Sequence, residues 1–231
     1  MGKLWTLVVM ATFLFCATNS IATTWGSTTV QDPLTGDQCE VKEPASYGSY
    51  IYSWPSKYDG VYWPFTDENW LWECEDSGYI SFGDDFSDLT DDEISRIRKH
   101  LSKASSQRGS DLKRLEAMYR LRDKDDKFWA WFYRVKAVIL TQDANAARYE
   151  ALQLMEASVE TMEPGFDLIQ TYYLIGEYHR IFGKIDKAKT YFSKARSVEW
   201  QDDEGNAQTG SEYINKLIDE RVTMFPVSPS P

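Results

Sequence analysis

The region around Cys74 has the spacing of half a metal-binding site. Cys74 is followed by Ser77, Gly78 and Tyr79 in the frame C-x-x-S-G-Y. A zinc knuckle needs C-x-x-C before the glycine, and a structural zinc site needs four good ligands. Serine is a poor ligand, and the region contains no histidine. We therefore expect no metal and no other cofactor.

Other reactive residue types do not form a recognisable catalytic set. The two histidines, His100 and His179, have no third partner in a motif that would make a nucleophilic triad. Carboxylates are plentiful, and the stretch DDFSDLTDDE is a possible calcium ligand set. It lacks the alternating ligands and central glycine of a calcium hand loop, which favours a helix start. We expect no catalytic residues, and a carboxylate-based hydrolase ranks third among the functions considered.

The first 22 residues have the layout of a secretory signal peptide. A short basic start precedes the apolar run LWTLVVMATFLFCA, and small residues lead to an expected cleavage after Ala22. Phe15 stands where lipidation of Cys16 would need a small residue. No later segment is apolar for the ~20 residues that a membrane-spanning helix needs. The sequence thus predicts a periplasmic or secreted protein, with no transmembrane segment in the mature chain.

Cleavage would leave two cysteines, Cys39 and Cys74. An even pair in an exported protein is expected to form a disulfide. The chain-entropy model gives about 4 kcal/mol of stabilisation for a loop of this size.

Acidic residues concentrate in residues 23–89, which we call the front module. It contains 13 acidic residues against Lys42 and Lys57, whereas acidic and basic residues nearly cancel from residue 90 onward. The whole chain carries a formal charge of −11. Such a protein repels phosphate backbones, so a nucleic-acid partner is not expected.

The front module is also rich in aromatic residues. Alternations such as Tyr50-x-Tyr52-x-Trp54 and Trp70-x-Trp72-x-Cys74 place large side chains on one face of a strand. We expect a small β module with an aromatic core.

Residues 90–225, the helix stack, show helical periodicity. Thr90 and Glu93 form the pattern of a capping box. Helices are predicted over residues 128–140 and 145–161, and a final helix over residues 204–224. The tail, residues 226–231, has the composition of a disordered segment. The predicted fold class is α+β, mostly α, with about seven antiparallel helices after the β module.

Residues 169–195 match one 34-residue tetratricopeptide repeat, a helix pair that stacks on its neighbours. Small, aromatic and turn residues fall at the expected positions. These are Tyr172, Ile175, Gly176, His179, Gly183, Ala188, Phe192 and Ala195. In this register the first helix of the repeat points Gln170, Tyr173, Glu177 and Arg180 into a groove that would bind a partner.

The two regions in this order resemble a bacterial family of unknown function, in which a ribbon CPxCG…CxxCGY precedes tetratricopeptide-like helices. The matching stretches are DPLTGDQCEV and CEDSGYISFGDDF, with Asp32, Thr35 and Ser77 at three ligand positions. The resemblance implies a ribbon that has lost its metal, with a Cys39–Cys74 disulfide in its place.

The predicted function is non-enzymatic binding of a protein or peptide partner in the cell envelope. Two alternatives stay open: the groove is packed against the front module, or its polar residues form an ordinary solvated face. A second function is binding of a glycan or envelope polymer through exposed rings, for which Trp54 and Trp63 are the candidates.

Overall fold

The structure is a computed structural model that describes residues 24–46, 56–103, 110–139 and 144–225. The predicted signal peptide, the predicted tail and Trp54 lie outside these residues. The predicted fold class is confirmed: the protein is α+β and mostly helical, with an aromatic-rich β region at its beginning. None of the described helices is long and apolar enough to cross a membrane.

Three antiparallel hairpins supply all the strands of the described residues. Their strands are β1 (Thr24–Gln31), β2 (Gln38–Ser46), β3 (Leu71–Cys74), β4 (Tyr79–Phe82), β5 (Glu199–Gln201) and β6 (Ala207–Thr209). Each hairpin forms a separate two-stranded sheet. The first two hairpins belong to the front module.

One short helix lies inside the front module, the longer helices follow the first two hairpins, and the third hairpin lies between the last two helices. The helices are α1 (Ser56–Asp59), α2 (Asp91–Leu101), α3 (Asp111–Tyr119), α4 (Asp126–Ile139), α5 (Ala144–Ser158), α6 (Phe166–Ile181), α7 (Ile185–Ser197) and α8 (Glu212–Val222). Helix α2 begins with the predicted capping box, because Thr90 accepts from the Glu93 amide and Glu93 accepts from the Thr90 amide.

Helices α6 and α7 cross closely where the repeat pattern places small residues. A methyl group on Gly176 would lie 2.5 Å from Cδ1 of Phe192 and 3.2 Å from the Ala188 carbonyl oxygen. Gly183 ends α6 with a positive φ of 71°, as expected of a glycine after a helix C-terminus. The residue types at these positions therefore set the distance between the two helices.

The last helix is shorter than the sequence predicted. It begins at Glu212, with Ser211 as its N-cap, rather than at residue 204. Residues 199–209 form the β5–β6 hairpin instead, and Gly205 and Gly210 have φ values of 81° and 63°. Two left-handed glycines favour a turn over a helix, so the prediction for residues 204–211 was wrong.

The front module and the helix stack share one hydrophobic core. Phe82 and Tyr79 of the front module are fully buried, and the Phe82 ring centroid lies 5.8 Å from that of Tyr119 and 6.3 Å from that of Phe132. The buried apolar side chains of both regions form a continuous cluster. The front module is therefore fixed to the helices by packing as well as by polar contacts.

Candidate functional site

The structure corrects the predicted binding groove. Tyr173 and Glu177 are each only 1% exposed, so they are not available to an outside partner. Arg180 is half-buried and donates to Glu177 from Nε at 2.7 Å, while Gln170 is half-buried nearer the start of α6. The sequence placed these four residues on one helix and left open that the groove is packed against the front module, and a segment of that module does cover Tyr173.

The covering segment is residues 57–62 of the front module, which we call the docked segment. Its Tyr58 ring lies under the Arg221 guanidinium, 3.7 Å from ring centroid to Cζ. The Tyr58 hydroxyl donates to Glu220, and Lys57 pairs with the same carboxylate at 3.1 Å. Tyr62 and Tyr213 bring their hydroxyls within 3.3 Å. Helix α8 therefore contacts the docked segment near both of its ends.

Main-chain carbonyls of the docked segment accept hydrogen bonds from helix side chains. The Tyr173 hydroxyl donates to the Tyr58 carbonyl at 3.3 Å. Arg134 of α4 donates to the carbonyls of Asp59 and Gly60 at 2.9 and 3.3 Å. Side chains of α4 and α6 thus hold the carbonyl groups at the C-terminal end of α1.

A buried ionic cluster supports this face. Glu177 accepts from Nε of Arg221 at 2.8 Å and from Arg180, so two cations share one carboxylate. Asp59 is buried beside Arg148, at 3.9 Å, and burial raises the pKa of its carboxyl group. A charge that is buried without a partner strongly destabilises the fold. Loss of the docked segment would therefore destabilise these residues, and loss of these residues would destabilise the docked segment.

One part of the predicted groove remains open. A cleft of about 340 Å³ lies between α4, α5 and α6, and Gln170 is on its wall. Met155, Met162 and Leu174 supply its apolar lining, and the Lys127–Asp167 pair, 2.6 Å from nitrogen to oxygen, lies at its edge. Methionine side chains adapt to different ligand shapes. Gln170, one of the four predicted partner-site residues, therefore lies on an open cleft.

The glycan candidate Trp63 lies in a row of four tryptophans. Its ring centroid is 5.8 Å from that of Trp25, which lies 6.5 Å from Trp70; Trp70 lies 5.4 Å from Trp72. All four side chains are half-buried. Trp25 was not predicted as a glycan-binding residue, because Trp63 and Trp70, which it contacts, lie about 40 residues away in the chain and no local pattern relates them.

The two cysteines lie together, as expected for an exported pair. Cys39 and Cys74 are at disulfide distance, with 5.4 Å between their Cα atoms. The pair connects β2 of the first hairpin with β3 of the second. It therefore links two hairpins that belong to different sheets.

The turns of these two hairpins have the same backbone pattern. Gly36 and Gly78 have φ values of 84° and 75°. The Gly36 amide donates to the Asp32 carbonyl at 2.9 Å, and the Gly78 amide donates to the Cys74 carbonyl at 2.7 Å. The two turns are thus equivalent, with Asp32 and Cys74 in corresponding places.

Polar side chains at these turns hold the local backbone. The carboxylate of Asp32 accepts from the Leu34 amide at 2.7 Å, and the Thr35 and Ser77 hydroxyls accept from the amides two residues later, each at 3.2 Å. Within the described residues, no group of three or more His, Cys, Asp and Glu side chains is arranged to hold a metal.

Comparison of the chain with protein-family models, with curated proteins and with solved structures finds no match. The interpretation of function therefore rests on the geometry of this molecule alone.

Proposed function

We propose that this protein is an exported, non-enzymatic scaffold whose tetratricopeptide-like helices bind polypeptide. The observation that carries the proposal is the docked segment. Its Asp59 and Gly60 carbonyls accept from Arg134, and its Tyr58 ring packs against Arg221. The face that was predicted to bind a peptide therefore has the chemistry to do so, and here its ligand is a segment of the same chain.

The docked segment leaves a different place for an outside partner. The cleft beside Gln170 adjoins the docked segment, because Arg134 and Leu174 line the cleft and also contact Gly60 or its carbonyl. Its apolar lining suits an aliphatic or aromatic side chain of a partner peptide. The Lys127 and Asp167 charges at the edge offer partners for the peptide's polar groups.

We also propose that the protein is exported and that its ribbon has lost the metal site. In an oxidising compartment the cysteine pair would replace the ribbon's metal as the crosslink, because it joins the two hairpins whose turns are equivalent. The proposed family relationship is supported by the positions of Asp32, Thr35 and Ser77 in those turns. Titration of free thiols in the unfolded, unreduced mature protein tests it: we expect none, and a count of two would contradict the proposal.

The binding site is tested by blocking the cleft. Gln170→Arg places a long charged side chain at the cleft, whereas Gln201→Arg makes the same change on the exposed strand β5. Proteins captured from envelope extract by the wild-type protein and by Gln201→Arg should be lost with Gln170→Arg. Equal capture by both variants would rule out the cleft as the partner site.

Glycan binding is the second candidate, and the tryptophan row favours it. Four half-buried indoles that lie side by side in space offer ring faces on which sugars can stack. Retention on an envelope polysaccharide should then be lost in Trp63→Ala and kept in Gln170→Arg. The opposite pattern would favour the cleft.

A further inference from the structure

A second cavity, of about 300 Å³, lies where the front module meets α3 and α4. Most of its lining is aromatic, and the rest is acidic. The lining residues are Phe65, Phe82, Tyr119, Phe128 and Trp131, with Asp84 and Asp85. This aromatic cavity is separate from the cleft beside Gln170, and it plays no part in the function proposed above.

The ring planes in the aromatic cavity are steeply inclined to one another. Phe65 and Trp131 are perpendicular, at 89° with 4.9 Å between centroids, and Phe65 meets Phe82 at 81°. Phe82 and Trp131 are inclined at 66°. Steeply inclined rings offer faces from several directions, which suits a compact ligand better than a flat one.

Asp85 already has a full set of partners. Its carboxylate accepts from Tyr119 at 2.6 Å and from Ser81 at 2.8 Å, and it pairs with Arg122 at 3.1 Å and Lys124 at 3.0 Å. Although burial opposes ionisation, the Tyr119 hydrogen bond and the Arg122 charge lower the pKa of Asp85. Asp85 is therefore ionised and neutralised by the protein.

Asp84 is in a different situation at the same cavity. Gly83 allows the chain to turn beneath Trp72, and Asp84 follows it with an exposed side chain. The basic residues beside the cavity, Arg122 and Lys124, pair with Asp85. Among the described residues, Asp84 thus keeps a negative charge with no ion-pair partner within 4 Å.

The ring faces next to the cavity already contact one cation. The Lys124 ammonium lies 5.2 Å from the Phe128 ring centroid and 5.9 Å from that of Tyr119. Contacts of this kind stabilise cations through the negative face of the ring. Arg122 and Lys124 balance the two carboxylates in number, but both are paired with Asp85, at 3.1 and 3.0 Å, so the Asp84 carboxylate is the one left without an ion pair among the described residues.

We propose that the aromatic cavity binds an organic ammonium group, with Phe65, Trp131 and Phe128 around the cation and Asp84 as its counter-ion. A methylated ammonium is compact and weakly hydrated, so it suits inclined rings and one carboxylate. A sugar would instead need a flat ring face to stack on. The ammonium group can belong to a choline-type compound or to a lysine side chain of a peptide, because both present the same chemistry.

Tetramethylammonium is the probe for a first test, followed by NMR at the indole N–H of Trp131 in the mature protein. We expect a saturable shift that tert-butanol, an uncharged molecule of similar shape, does not produce. A similar shift with tert-butanol, or with methyl glucoside, would overturn the proposal, as would no saturable shift with tetramethylammonium.

Asp84→Asn and Asp88→Asn provide a matched pair, because both remove one charge from exposed residues of the same acidic segment. We expect Asp84→Asn to weaken tetramethylammonium binding about tenfold and Asp88→Asn to leave it nearly unchanged. Equal effects of the two variants would contradict a specific site. Partial loss of water around the carboxylate and the like charge of Asp85 raise the pKa of Asp84, so wild-type binding should already weaken at pH values above those at which an ordinary aspartate is protonated.

The source of the ammonium group is decided with choline and with a peptide that carries trimethyllysine. Tighter binding of choline assigns the site to small molecules or lipid head groups, and tighter binding of the peptide assigns it to a protein ligand. Binding of neither, when tetramethylammonium binds, would overturn the assignment to a biological ammonium ligand. Because Gln170 is not part of this cavity, Gln170→Arg should leave all of these affinities unchanged.

Discussion

The front module and the helix stack are stabilised in different ways. The helices α6 and α7 approach closely because Gly176 and Ala188 are small, and Phe192 fills the space between them. The front module has two hairpins in separate sheets, and its buried interior combines the rings of Tyr79, Phe82 and Phe86 with aliphatic side chains such as Val61 and Ile80. A two-stranded hairpin is marginal by itself, so this module needs support from outside its own sheets.

That support comes from the crosslink and from arginines of the helix stack. Arg98 donates to the Leu34 carbonyl at 2.9 Å, and Arg114 donates to Glu73 at 3.0 Å. Arg122 and Arg134 bind Asp85 and the docked segment. Part of the negative charge of the front module is therefore paired with basic side chains of the helices.

Removal of the disulfide should have the largest effect. In the protein without the predicted signal peptide, Cys39→Ser with Cys74→Ala should lower the free energy of unfolding by about 4 kcal/mol, because the open loop gains entropy when the chain unfolds. Urea unfolding, followed by tryptophan fluorescence, measures this. Reductant should destabilise the wild-type protein similarly and leave the double variant unaffected. An unchanged midpoint of the reduced wild-type protein would contradict the crosslink.

Overpacking of the helix crossing should come next. Gly176→Ala should destabilise the protein by about 2 kcal/mol, although alanine favours helices, because Phe192 is buried and cannot move aside. Gly165→Ala is the control, since its new methyl group would meet nothing within 4 Å. Thermal unfolding of both variants gives the comparison. Equal stabilities would mean that α6 and α7 do not cross as closely as described.

Loss of an arginine contact to the docked segment should have a smaller effect. Arg134→Gln should cost about 1.5 kcal/mol, because the carbonyls of Asp59 and Gly60 lose a charged donor. Arg96→Gln makes the same change in charge at an exposed pair with Asp123, where the expected cost is under about 1 kcal/mol. Urea unfolding of the two variants tests this order, and the reverse order would contradict it.

The pH dependence contributed by His179 should be the smallest effect. Burial lowers the pKa of His179, although its Nε2 lies 3.0 Å from Glu156. Below about pH 6.5 the unfolded chain binds a proton that the folded protein does not, so stability falls as the pH decreases. We expect His179→Gln to lose less stability than wild type between pH 7.5 and 5.5. A larger loss of stability in the variant would mean that folding raises, rather than lowers, the pKa of His179.

Local patterns in the sequence predicted much of the helix stack. The capping box at Thr90 and the glycine after α6 depend on neighbouring residues only, and both are present. The β5–β6 hairpin was missed because the apolar pattern of α8 was extended backward through Gly205 and Gly210. Two glycines within six residues were the available signal for a turn.

The site could be predicted only in part, because its contacts connect distant segments. Tyr58 and Tyr173 are 115 residues apart, and no periodicity in the sequence relates them. The excess of acidic residues in the front module argued against a nucleic-acid partner, but it did not indicate that arginines of the helix stack pair with this module. The tetratricopeptide-like groove and the partner at Gln170 remain predictions.

Hydrogen exchange measured by mass spectrometry tests whether residues 57–62 are docked on the helix stack. Tyr58, Asp59 and Val61 are buried against the helix stack, so peptides that cover residues 57–62 should exchange slowly in the wild-type protein. In Arg134→Gln these peptides should exchange faster, while those of α7 stay protected. Exchange of residues 57–62 at the rate of an unstructured peptide in the wild-type protein would contradict the account, and the face with Tyr173 and Arg180 would then be open to an outside partner.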